Sequence, residues 1–135
     1  MRRFSCAVTV AALTILPTTT AVAHTRRHNN SLQAWCATHA DTLPYANLIR
    51  QTLPPIMTRV SCCESHGKPG AGRQHSSKGL LQVHWGANGP ALRHAGIAHT
   101  AADLYRPAVN VRAARLVLDT QGLRAWNPSR HCWGV

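Results

Sequence analysis

Cys62-Cys63-Glu64-Ser65-His66-Gly67, followed further on by Gly79-Leu80-Leu81-Gln82, is the stretch that decides how this chain reads. Glu64 is the only glutamate among 135 residues, and Asp41, Asp103 and Asp119 are the only other acids against fifteen lysines and arginines. A reaction that needs a general acid has few groups to choose from. Just upstream, Pro54-Pro55 breaks one helix, and Pro55 is well placed as the first residue of the next. Ile56, Val60 and Cys63 then fall at helical spacing on one buried face. Glu64 follows on the edge of that face, near the helix end. Partial desolvation there would raise its pKa from the reference ~4.3 toward neutrality. A carboxyl group that stays protonated can donate a proton to a leaving oxygen. The plain alternative is a solvated helix-end glutamate, or one paired with Arg59 or Arg73.

Working outward, the pattern is mostly α. Ser31 can cap a short helix through about Ala40, carrying Leu32, Trp35 and Cys36 on one side. Asp41 or Thr42 can open a second, in which Tyr45, Leu48, Ile49 and Leu53 recur at helical spacing. Residues 66–79 hold glycines, a proline, serines and charges; they read as a loop, with any β-structure expected there. Leu80 to Trp85 fits a short helix or an extended piece. Thr100 to Gln121 is the clearest long helical region, interrupted near Pro107, with an apolar stripe of Val109, Ala113, Leu116, Val117 and Thr120 and a stop at Gly122. Asp103 reads as a capping residue, three places after Thr100.

The amino end has the architecture of a secretory signal peptide: Arg2-Arg3, a short apolar run from Cys6 to Leu16, then Ala21-Val22-Ala23 before His24. It is too short to span a membrane. Cys6 precedes most of the apolar run, so a lipoprotein anchor is not expected, and no second apolar segment approaches spanning length, so no stable membrane anchor is expected either. The expectation is one domain over residues 24–135, secreted or periplasmic after cleavage near Ala23. The formal charge of +11 favours polyanions, whether nucleic acid, anionic lipid or a wall rich in phosphate and carboxylate. Charge alone does not choose among them.

Cys36, Cys62, Cys63 and Cys132 remain after cleavage, an even number in an exported chain, so two disulfides are expected. Adjacent cysteines rarely bridge each other. Cys62 and Cys63 therefore take separate partners, and either pairing ties the Glu64 segment to both Cys36 and Cys132. No C-x-x-C pair or His pair with zinc spacing appears, and no metal or other cofactor is expected. The nine histidines include His66 and His84 near the candidate site, with exposed or packing roles as the default.

Glu-Ser followed at an interval by Gly-Leu-Leu-Gln-Val resembles the soluble lytic transglycosylase family, whose domain is a relative of goose-type lysozyme. In that family a Glu-Ser at a helix end precedes an Asn-Pro loop and a Gly-Leu-Met-Gln-Ile segment. Here the Glu64-to-Gln82 interval aligns without a gap, and Pro69 falls at the loop proline. Asp103-Leu104-Tyr105-Arg106-Pro107 with Asn110-Val111 is similar to the family's Asp-Pro and Asn-Ile segment, and Ala125-Trp126-Asn127 to its Ala-Tyr-Asn. The resemblance covers about Ile56 to Asn127. It implies a mainly α, lysozyme-like domain with a substrate cleft and a small loop or β region, acting on the β-1,4 bond between N-acetylmuramic acid and N-acetylglucosamine.

By position, the resemblance implies that Glu64 is the acid/base and that Ser65 orients it. Gln82 would hydrogen-bond an N-acetyl sugar, Gly79 would let the backbone approach closely, and Tyr105 and Trp126 would complete the substrate-binding set. Departures are Arg73 at the place of a family serine, Gly67 after Glu-Ser-His, tryptophan in place of tyrosine at 126, and an early C-terminus. No second catalytic carboxylate is evident, so the implied product is a 1,6-anhydromuramyl sugar, with hydrolysis as the near alternative. A catalytically weak cationic wall-binding protein of the same fold is the other reading. The implied partner is the glycan strand of peptidoglycan, with no specific nucleic acid; a secretion, conjugation or phage machine as a further partner is left open.

Overall fold

The computed structural model describes residues 30–134; the expected signal peptide lies outside them. The chain is mainly helical. Helix α1 covers 30–39 and passes into a 3-10 turn, Ala40–Thr42. Helices α2 (Ala46–Thr52) and α3 (Ile56–Ser65) follow. A two-stranded antiparallel hairpin, β1 (Ser77–Lys78) and β2 (Val83–His84), pairs Ser77 with His84 and Lys78 with Val83. Helix α4 (Trp85–His94), a 3-10 segment (Ala101–Tyr105), helix α5 (Pro107–Gln121), a 3-10 segment (Gly122–Ser129) and the single turn α6 (Arg130–Trp133) complete the order.

Proline placement sets several boundaries. Leu43 is extended before Pro44, as a residue preceding proline tends to be. The second helix therefore starts at Ala46, not at Asp41 or Thr42. Tyr45 is its left-handed N-cap and is exposed, so it leaves the apolar stripe expected of it. Leu53 is likewise extended before Pro54-Pro55, and Pro55 is the N-cap of α3, one residue ahead of its first helical position. Helix α3 is the most enclosed element. Met57, Val60 and Cys62 are fully buried, and Thr58, Ser61 and Ser65 are buried as well. Its stripe is therefore wider than the Ile56–Val60–Cys63 face, of which Ile56 and Cys63 are only half-buried.

Helix α4 was not foreshadowed by periodicity, because Gly86, Gly89 and Pro90 are poor interior helix residues. His84 caps it by accepting from Ala87 N at 3.0 Å. Gly89 is a packing requirement: a Cβ there would stand 3.0 Å from the Trp85 ring. Asp103 caps the following 3-10 segment as expected, accepting from the backbone N–H groups of Thr100 (2.8 Å) and His99 (2.9 Å). Helix α5 begins with Pro107 and ends at Gly122, whose φ is +66°. Of its expected stripe Val109, Ala113 and Val117 are buried, Leu116 is half-buried and Thr120 is exposed.

The cysteines resolve the pairing left open by the sequence: Cys36 joins Cys62 and Cys63 joins Cys132. Such bonds form and persist in oxidising compartments. No described helix is long and apolar enough to cross a membrane.

Candidate active site

The turn of the hairpin, Gly79-Leu80-Leu81-Gln82, is buried inside the core, where Leu80 and Leu81 are fully enclosed. A turn in that position strands backbone N–H and C=O groups away from water, and each needs a partner. Four side chains from elsewhere supply them. Ser61 and Ser65 on α3 both donate to Leu80 O, at 3.2 and 2.7 Å. Trp126 Nε1 donates to Leu81 O at 2.8 Å. Asn110, fully buried on α5, accepts from Leu81 N at 2.9 Å and donates to Lys78 O and Leu104 O at 2.8 and 2.9 Å. Gly79 closes the arrangement. Its φ is +76°, and a Cβ would lie 2.2 Å from Leu104 O and 2.3 Å from Asn110 Nδ2.

This anchoring brings the hairpin against the end of α3 and forms a cleft of about 340 Å3. Glu64 and Gln82 both line it, together with His84 and Asn88 from the start of α4 and Trp126 from the C-terminal 3-10 segment. Gln82 holds a left-handed backbone, φ +46°. Its Nε2 donates to Gly79 O at 2.8 Å, while its Oε1 accepts from no described residue. Also lining the cleft, Gln121 Nε2 donates to Asn88 Oδ1 at 2.8 Å and Asn88 Nδ2 donates to His84 O at 3.0 Å. A neutral amide pair therefore faces the cavity.

Glu64 is the sole acid lining the cleft. Burial raises its pKa above the ordinary carboxylate value, and a hydrogen bond from Ser129 works in the opposite direction. Ser129 Oγ lies 2.5 Å from Glu64 Oε1. Among the described residues no cation pairs with Glu64; the ion pairs join Asp41 to Arg50, Asp103 to Arg106 and Asp119 to Arg115. Neither Arg59 nor Arg73 is its partner.

The remaining expected residues divide by place. Ser65 is buried and donates to Leu80 O, so it ties the helix end to the hairpin and makes no hydrogen bond with the carboxyl group. Gly79 does not line the cleft; the atoms that approach it closely are those of Leu104 and Asn110. Tyr105 stands outside as well, its hydroxyl 3.5 Å from Gly72 O and its ring under the Lys78 ammonium. Trp126 lines the cleft but is only 3 % exposed, with its indole N–H committed to Leu81 O. His84 lines the cleft, and His66 is the left-handed C-cap of α3, turned toward Trp35.

Sequence reasoning missed Ser129, Trp133 and the Asn88–Gln121 pair. No spacing rule points to them: Ser129 and Trp133 come from the C-terminal segment, Asn88 from a helix masked by glycine and proline, and Gln121 from the last position of α5, outside its apolar stripe. The available signs that this segment returns to Glu64 were Cys132, which either cysteine pairing ties to the Glu64 segment, and the expected place of Trp126 in the substrate-binding set. No protein-family model, no curated protein and no solved structure matches the chain.

Proposed function

We propose that the protein is a peptidoglycan lytic transglycosylase that acts outside the cytoplasm. Protonated Glu64 gives its proton to the glycosidic oxygen as the bond from the muramyl C1 breaks. The resulting carboxylate then removes the proton from the muramyl C6 hydroxyl, whose oxygen closes on C1 to give the 1,6-anhydro sugar. Glu64 ends the cycle protonated, and no water is consumed.

The observation that carries this reading is a single carboxyl group in a cleft, lifted in pKa by burial, with no second acid and no lysine or arginine among the lining residues. Retaining and inverting glycosidases of the ordinary kind use two carboxyl groups flanking the bond. Here the three aspartates are engaged with arginines elsewhere. One acid that acts twice suits an intramolecular nucleophile. Gln82, with a free amide oxygen at the same cleft, suits the N–H of an N-acetyl group. The positive net charge of the chain suits an anionic wall.

The test is digestion of isolated peptidoglycan with residues 24–135, followed by mass spectrometry of the released fragments. Anhydromuramyl ends are expected. Reducing ends would show hydrolysis instead, and binding to the wall without release would assign the protein a non-catalytic role.

A further inference from the structure

We infer that Ser129 is a positioning residue for the Glu64 carboxyl group, holding Oε1 as an acceptor so that Oε2 carries and transfers the proton, and that the C-terminal hook from Trp126 to Trp133 belongs to the catalytic apparatus. The inference rests on the acid/base role proposed for Glu64.

The geometry is a small network with a defined direction. Ser129 has one hydroxyl proton and two acceptors within reach, Glu64 Oε1 at 2.5 Å and Trp126 O at 3.1 Å. Trp133 Nε1, which can only donate, lies 3.0 Å from Ser129 Oγ and 3.1 Å from Trp126 O. That single N–H occupies a lone pair of the serine and partly satisfies the competing carbonyl. The serine proton is thereby directed to Glu64. Linked hydrogen bonds of this kind reinforce one another in a poorly solvated site.

The consequence concerns which carboxyl oxygen is reactive. Oε1 accepts from Ser129 whether the group is ionised or protonated on its other oxygen. Oε2 has no hydrogen-bond partner among the described residues, and Glu64 lines the cleft. The proton that leaves for a substrate oxygen and the lone pair that later removes one from a hydroxyl both belong to Oε2. The carboxyl group need not rotate between the two halves of the reaction.

A covalent clamp keeps the hook in place. Cys63, immediately before Glu64, is bonded to Cys132, which lies between Ser129 and Trp133. Helix α6 is a single turn and α3 is its main packing partner besides the preceding 3-10 segment. The disulfide is thus the covalent link that holds the segment carrying Ser129 against the helix end carrying Glu64.

Glu64 is the only glutamate, so labelling residues 24–135 with glutamate carrying 13C at the side-chain carboxyl gives one titrating resonance, identified by its loss in Glu64→Gln. In Ser129→Ala and Ser129→Gly that titration is expected to move to higher pH. On peptidoglycan, kcat is expected to fall about tenfold with KM little changed, and Ser129→Thr is expected to restore both properties. A carboxyl titration unmoved in Ala and Gly variants overturns the inference, even if activity drops, because the serine would then be only structural. So does a Thr variant that folds and behaves like the Ala variant. If wild-type protein releases nothing from peptidoglycan while the titration shifts as expected, the positioning stands and the assigned reaction fails.

Discussion

The hydroxyl of Ser65 turns away from the neighbouring Glu64 and donates to Leu80 O at 2.7 Å. The residue next to the acid thus acts on the hairpin, joining the helix end that presents Glu64 to the turn that presents Gln82. Ser61, one helical turn earlier, donates to the same carbonyl at 3.2 Å. Either serine can serve when the other is missing. Ser65→Ala is expected to cost about 1 kcal/mol in chemical denaturation, since Leu80 O keeps one donor. The Ser61→Ala/Ser65→Ala pair is expected to lose about 1–3 kcal/mol more than the sum of the single variants, because the carbonyl is then buried without a partner. Additive losses would show that the carbonyl finds water.

Asn110 has no such substitute. Asn110→Ala removes the partner of Leu81 N and a donor from both Lys78 O and Leu104 O. A loss of about 3 kcal/mol or more is expected. Gly79→Ala should be at least as damaging, since the new methyl would meet Leu104 O and Asn110 Nδ2 in a left-handed backbone. Denaturant midpoints measure both. A Gly79→Ala protein of wild-type stability would mean that the turn does not occupy this place.

Glu64 should reduce stability at neutral pH. Its pKa is raised in the fold by burial. Between the ordinary carboxylate value of ~4.3 and the higher folded value, the native state holds the proton more tightly than the unfolded chain. Stability therefore falls as pH rises through that window and then levels off. Glu64→Gln lacks this titration and is expected to have a higher Tm than wild type at pH 7, with the difference disappearing below about pH 4. An identical Tm at both pH values would mean that the carboxyl group is solvated.

The two disulfides differ in what they hold. Chain entropy gives about 3.5 kcal/mol for a closed loop of 26 residues and about 4 kcal/mol for one of 69. Their loss should cost stability to a similar degree. Activity should separate them, since only Cys63–Cys132 keeps Ser129 beside Glu64. Under conditions where both variants remain folded, Cys63→Ala/Cys132→Ala is expected to lose most of the muralytic rate and Cys36→Ala/Cys62→Ala to keep most of it. Equal losses would argue that the hook is held by packing alone.

Much of the site was legible because it depends on residue types that are scarce in this chain. A lone glutamate at the edge of an apolar helical face, and a glycine-bounded Leu-Leu-Gln further on, marked the two sides of the cleft. Their roles were less legible than their positions. Ser65 and Gly79 carry the motif, yet their contacts are with backbone that only the folded chain brings near. Tyr105 falls in a motif but packs with Gly72 and Lys78, outside the cleft. Helix α4 escaped notice because tertiary contact of Gly89 with Trp85 overrides a poor local propensity. Ser129 escaped because no periodicity survives in a 3-10 segment containing Pro128.

In the proposed reaction Glu64 alone cleaves the glycan and no water is consumed. Digesting peptidoglycan in H2 18O with wild-type and Glu64→Gln proteins, then weighing the released muropeptides, shows whether solvent oxygen enters the product. Wild-type protein is expected to release 1,6-anhydromuramyl ends free of 18O, and the Gln variant to act at a rate at least about 100-fold lower. Muramyl ends carrying 18O, or undiminished release by Glu64→Gln, would contradict it.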